Sequence, residues 1–171
     1  MTRKELKKLV YYECHCSLFG GMLLPPERHS VFLYRKSQYH ASSKGIWHKL
    51  LKHYYSRKLV HQYGILASPY ATIGKGLRFV HPTSIVIGSH VNAGENLHLY
   101  QNVTLGGARL GDVARGYQPT IGNNVTVFSG AAILGKISVG NNVIVAANST
   151  LLSDAPQNSV CVGSPARIIR K

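Results

Sequence analysis

The sequence predicts a mainly β fold: a parallel β-helix of six-residue repeats behind a small α-helical N-terminal region. Three observations carry that expectation. Apolar residues recur every six positions from Ile73 to Leu151. Glycine and asparagine crowd the intervening turns, and upstream of Gly64 the apolar spacing is helical instead.

Ile73, Phe79, Ile85, Val91, Leu97 and Val103 mark the first run of the beat, and Ile121, Val127, Ile133, Val139, Val145 and Leu151 the second. Four positions after each comes a companion, from Leu77 and Thr83 to Ser149 and Ala155, in most cases small or polar. A helix repeats at 3.6 residues and a simple strand at 2, so neither accounts for a period of six. Three short strands per 18-residue turn do, with the aliphatic pointing inward and Gly or Asn supplying the positive-φ corners. Stacked turns then bury one another's apolar faces, as in other solenoids. The beat fails at Arg109 and Arg115, which predicts a loop over 108–119 extruded from the coil, where function tends to sit.

Before Gly64, Trp47, Leu50, Leu51, Tyr54, Tyr55 and Leu59 stand at helical spacing, with Lys49, Lys52, Arg57 and Lys58 between them. This predicts an amphipathic helix over about 43–63, its aromatic stripe packed into the core and not against lipid. Residues 3–12 predict another helix, and Pro25-Pro26 a break between the two. The chain thus divides into a helical region, 1–63, and a β-helix, 64–171.

A length of 171 residues suits one domain with a small appendage. Twenty Lys+Arg against 6 Asp+Glu give a net charge of +14, which implies an anionic partner. The excess is heaviest in residues 1–63, but no nucleic-acid module accompanies it, so no nucleic-acid partner is expected. Three cysteines make no disulfide framework. Cys14-His15-Cys16 lacks a second ligand pair, so reduced thiols and no metal are expected. The basic start is followed by an apolar run that Glu13 and His15 interrupt, which argues against a signal or spanning segment. A cytoplasmic protein is expected.

Three segments then carry a family resemblance. Residues Phe79 to Gly88, including His81-Pro82-Thr83, resemble the catalytic-histidine segment of serine acetyltransferase-like hexapeptide-repeat acetyltransferases. Gln101 to Gly107 resembles that family's active-site turn, and Gly163 to Ile169 its closing motif. The resemblance implies a left-handed parallel β-helix, acetyl-CoA as cosubstrate, and a homotrimer with sites between neighbouring coils. It also implies roles for particular residues. His81 would be the general base, since a neutral imidazole titrates near pH 6.5. An amide at Gly106 or Gly107 would hold the oxyanion. Ser129 and Ala147 would hold the pantetheine arm through their main chains, and Arg167, Arg170 and Lys171 the phosphates of CoA. Gln101, Tyr117 and Gln118 would contact the acceptor.

The departures from the serine enzymes point elsewhere for the acceptor. Val80 and Leu66 occupy places where those enzymes carry aspartates, and Gln118 stands for a histidine. An ammonium group buried against Val80 would lack a counter-charge. The main expectation is therefore a sugar hydroxyl in surface-polysaccharide synthesis, free or lipid-linked, with peripheral association at the inner membrane surface. Serine O-acetylation is the alternative with the same donor. A zinc enzyme built on His81, His90 and His98 is disfavoured, because a spacing of about half a turn spreads those histidines around the coil. A non-catalytic binding protein is the remaining alternative.

Overall fold

A computed structural model describes residues 1–16 and 23–170. Three helices lead the chain: α1 (Arg3–Cys14), α2 (Pro26–Ala41) and α3 (Ile46–Tyr63). Thr2 and Glu5 cap α1 reciprocally, Thr2 accepting from the Glu5 N–H and Glu5 from that of Thr2. Gly64 in the left-handed conformation ends α3.

The break expected at Pro25-Pro26 does separate helices, but a helix that the periodicity did not predict begins there. Proline lacks an N–H that a first-turn residue leaves unpaired anyway, so Pro26 opens α2 instead of stopping it. Its Val31, Leu33 and Tyr34 are buried, and Tyr34 meets Phe79 edge to face at 6.0 Å. Arg35 fixes this docking. It grips Glu13 of α1 through two nitrogens, at 2.7 and 2.9 Å, and donates to the Ile73 and Gly74 carbonyls. Glu13 in turn accepts from the Gly76 and Leu77 N–H groups. A buried ion pair this fully hydrogen-bonded joins the helices to the first coil at one place.

From Leu66 the chain winds as a triangular prism of short parallel strands. The first face holds β1 (Leu66–Ala67), β4 (Val86–Ile87), β7 (Thr104–Gly106), β10 (Ala132–Leu134) and β13 (Thr150–Leu151). The second holds β2 (Thr72–Ile73), β5 (Asn92–Ala93), β8 (Thr120–Ile121) and β11 (Ser138–Val139). The third holds β3 (Arg78–Phe79), β6 (His98–Leu99), β9 (Thr126–Val127), β12 (Ile144–Val145) and β14 (Ser159–Val162), closed by the antiparallel β15 (Arg167–Arg170).

All twelve residues of the predicted beat are buried inside this prism. The corners behave as the composition predicts. Along the edge between the second and third faces, Asn96, Asn124, Asn142 and Asn158 all take positive φ, and each of the first three donates its side-chain amide to the next. Asparagine tolerates that conformation and its amide makes the ladder.

Two irregularities position everything functional. Thr104 pairs with Ala132, 28 residues on, where an ordinary coil advances 18; the surplus is the extruded loop. Arg78 pairs with His98, 20 residues on. The extra two residues sit in the corner between Phe79 and Ile85, which is where His81 lies.

The aromatic stripe of α3 is the clearest correction to the expected packing. Tyr55 is half-buried and Leu59 fully buried, but Trp47, Leu50, Leu51 and Tyr54 are exposed. The helix meets α2 and the first coil with its other face, formed by His48, Lys52, Tyr55, Ser56, Leu59 and Tyr63.

Candidate active site

The edge between the third and first faces gathers five of the residues expected at the site: His81, Gln101, Ser129, Ala147 and Arg167. Backbone pairing stacks Val80, Tyr100, Phe128 and Ala146 above one another. The next residue of each corner is His81, Gln101, Ser129 and Ala147, so these four form a column. The pairing of Gln101 with Gly130 and of Ser129 with Asn148 continues the register. Arg167 stands opposite Val162 at the same end of β14, at the head of this column. At about 4.8 Å per coil, five steps separate His81 from Arg167 by about 24 Å.

His81 is exposed on its enlarged corner. The edge of one ring meets the face of the other in the His81–Tyr100 pair, with centroids 5.6 Å apart, and Tyr100 packs on Phe128 at 4.8 Å. Such a stack fixes the plane of an imidazole. Tyr100 and Phe128 escaped sequence reasoning. Their signal was an aromatic in the slot directly after the strand of two successive coils. The Gln101 side-chain oxygen is buried with no protein partner, so this amide has hydrogen-bonding capacity left over beside His81.

The other expected residues occupy a different edge. Gly106 and Gly107 lie where the first face turns toward the second, and the loop that follows rises from that corner. Asp112 organises it: its carboxylate is buried and accepts from the Ala108 and Arg109 N–H groups, at 2.9 and 2.8 Å, while its carbonyl accepts from Tyr117. A Cβ on Gly107 would lie 2.7 Å from that of Asp112, so glycine is needed there for the loop to close. Asp112 was also missed, although it is the sole acid between Gly107 and Pro119.

Gln118 is committed through its oxygen only: its Nε2 is buried without a protein partner, so its two N–H donors remain free. It is buried beneath the loop, its oxygen accepts from the His90 N–H at 2.9 Å, and it fills the space beside Gly88. Tyr117 is exposed, with the Lys136 ammonium 5.3 Å over its ring. Within one chain Gly106, Gly107, Tyr117 and Gln118 are therefore separated from His81 by the width of the first face. The chain from Gln101 to Gly107 can span at most about 20 Å.

The basic C-terminus divides similarly. Arg170 pairs with Ser159 at the opposite end of β14 from Arg167, three residues or about 10 Å away. Lys171 lies outside the described residues. His81, His90 and His98 stand on one edge, on another edge and on the third face, as their spacing predicts. Cys14 is buried, donates to the Arg28 carbonyl at 3.3 Å, and has its thiol pushed up to about 12 by burial.

This architecture has known counterparts. Residues 118–153 match the family model described as bacterial transferase hexapeptide (six repeats). The serine acetyltransferase of Helicobacter pylori strain 26695 is 38% identical over 155 residues, spanning 88% of this chain and 85% of that one. A serine acetyltransferase of Staphylococcus aureus is 41% identical over 108 residues, 63% of this chain and half of the relative. Among solved structures, Neisseria gonorrhoeae serine acetyltransferase superposes with a TM-score of 0.81 at 26% identity, over 98% of this chain and 67% of that one. A serine acetyltransferase in complex with CoA gives 0.78 at the same identity, over 98% and 71%. The fold and its histidine-bearing edge thus define a left-handed β-helical acyltransferase of the hexapeptide-repeat class. Within that class the chain belongs to the serine acetyltransferase family. The expected polysaccharide branch finds no support among these relatives, all of which carry the serine enzyme's name.

Proposed function

We propose that this chain transfers acetyl from acetyl-CoA to a hydroxyl, and that the hydroxyl is that of L-serine, as the names of its relatives say of them. The observation that carries the transfer chemistry is the column of His81, Gln101, Ser129, Ala147 and Arg167 along one edge. A CoA arm lying along that edge would pass the exposed Ala147 and the half-buried Ser129, and Arg167 would face its phosphates. His81 takes the proton from the acceptor hydroxyl as its oxygen bonds to the acetyl carbon. The carbon–sulfur bond breaks, and the imidazolium returns the proton to the departing thiolate, so that free CoA and the ester result. General-base assistance of this kind contributes about 100–10,000-fold.

One chain does not supply the whole site. The oxyanion and acceptor residues on the loop edge act on a group at His81 only when a second copy presents that edge. A closed ring of identical copies satisfies this for every subunit, and the family resemblance implies that the ring is a homotrimer.

A second reading of the acceptor, an uncharged sugar hydroxyl, has one specific observation in its favour. The chain has six acids, and none faces the His81 column. Glu5 and Glu27 belong to the first turns of α1 and α2, Glu13 to Arg35, and Glu95 to Lys75. Asp112 folds the loop, and Asp154 accepts from the Ser138 N–H. Val80 and Leu66 bring no charge for an ammonium group. Release of CoA thiol with L-serine, compared with nucleotide- and lipid-linked sugars, decides between the readings. A kcat/KM for serine above about 10⁴ M⁻¹s⁻¹ is expected of a cognate acceptor. Turnover confined to sugars would reverse the assignment.

A further inference from the structure

We propose that the outer face of α3 docks on an anionic lipid surface, holding the enzyme flat on a membrane without crossing it. The inference is independent of which acceptor is used. Ile46, Trp47, Leu50, Leu51 and Tyr54 lie within the first nine residues of α3, and all are exposed, Trp47 to 74%. Their spacing of three and four residues makes them one patch. The opposite face of the helix is already occupied by α2 and the first coil, so this patch is not a misplaced core stripe. Five large apolar side chains grouped in water mark a surface that meets something.

Charge says what it meets. Residues 28–94 contain no Asp or Glu, and ten Lys and Arg fall within them. Lys44 precedes the patch, Lys49 flanks it, and Arg57, Lys58 and His61 continue the same helix beyond it. Apolar side chains with a tryptophan, set among cations, are the composition of an interfacial helix. Each cation near an anionic bilayer strengthens partitioning about fivefold. Two copies set face to face through α3 would instead bring these cations together with no carboxylate between them. No described helix is long and apolar enough to cross a membrane, so the element lies on the surface.

Trp47 is the only tryptophan in the chain, so it reports on this face alone. The full chain is mixed with vesicles of phosphatidylcholine, or of phosphatidylcholine containing one-third phosphatidylglycerol. Anionic vesicles should move the Trp47 emission to shorter wavelength, shield it from iodide and pellet the protein. Leu50→Glu with Leu51→Glu should weaken pelleting at least about tenfold, as should Lys49→Glu with Arg57→Glu, with CoA release in solution unchanged for both pairs. Three results would overturn the proposal: emission that anionic vesicles leave unchanged, equal binding to both vesicles, or iodide shielding of Trp47 in the lipid-free assembly, which would show a neighbouring copy covering the patch.

Discussion

His81 owes its reach to two surplus residues in its corner, which carry it clear of the coil, and its orientation to Tyr100. His81→Ala should lower turnover at least about 100-fold while acetyl-CoA affinity stays nearly unchanged, because only the proton transfer is lost. Isothermal titration beside steady-state kinetics separates the two quantities. Asp112 acts one step further back. Asp112→Ala removes an acceptor from two loop N–H groups, each bond to a carboxylate being worth about 1.5–3 kcal/mol. The coil should keep its melting temperature within a few degrees, whereas trypsin should cut at Arg109 and Arg115 much faster. Unchanged proteolysis would mean that the loop holds its shape without this carboxylate.

At the scale of elements, the helices attach to the coil through a few specific contacts. Arg35→Ala would leave the Glu13 carboxylate buried and unpaired, a change of about 3–5 kcal/mol in destabilisation. Replacing both partners with Met and Leu should recover only part of it. The Gly76 and Leu77 N–H groups and the Ile73 and Gly74 carbonyls lose their partners in either case. Urea unfolding of the two variants makes the comparison. The contact between α2 and α3 is also acid-sensitive. His40 stacks on Tyr55 and shares a 2.8 Å hydrogen bond with His48, which requires at least one of the two imidazoles to be neutral. Burial holds His40 below the ordinary 6.5, and His48 and Lys36 add to the effect; burial lowers His29 and His98 likewise. A folded state that binds fewer protons than the unfolded chain is stabilised as pH rises. Stability should therefore be complete above about pH 6.5 and fall as pH drops through the lowered values, with His40→Gln flattening the slope. A urea midpoint that does not move between pH 8 and pH 5.5 would refute this.

For the whole molecule, the two edges make a prediction about assembly. His81→Ala and Gly107→Val damage different edges, so each alone should be inactive. Random coassembly should recover about a quarter of wild-type turnover, since about three-quarters of the trimers are then mixed and each of these has one sound site of three. Coexpression with distinguishable tags tests this, and no recovery would show that a site is built within one chain.

Much of this was legible in the chain itself. The six-residue beat requires a β-helix, because no other regular backbone repeats at that period, and the interruption at Arg109 and Arg115 located the loop. His81, Gln101, Ser129 and Ala147 were singled out by the resemblance to the family's motifs, and the winding of the coil is what aligns them. The same regularity concealed the enlarged corner at His81. Positions two apart on a strand face the same way, so Ile85 and Ile87 are both buried and the beat passes through a two-residue slip without a visible break.

What only the tertiary structure decided are matters of facing. An exposed stripe and a buried stripe have the same helical spacing, and α3 has apolar residues on both sides; packing against α2 chose Leu59 and left Trp47 outside. Gln118 is an amide in any sequence, and its burial over Gly88 is what commits its oxygen to His90. The separation of His81 from Gly107 likewise follows from winding the chain into a prism. Residues 26 apart along the chain come to lie on neighbouring edges, because each face is a strand's width and local spacing does not record which edge a corner occupies.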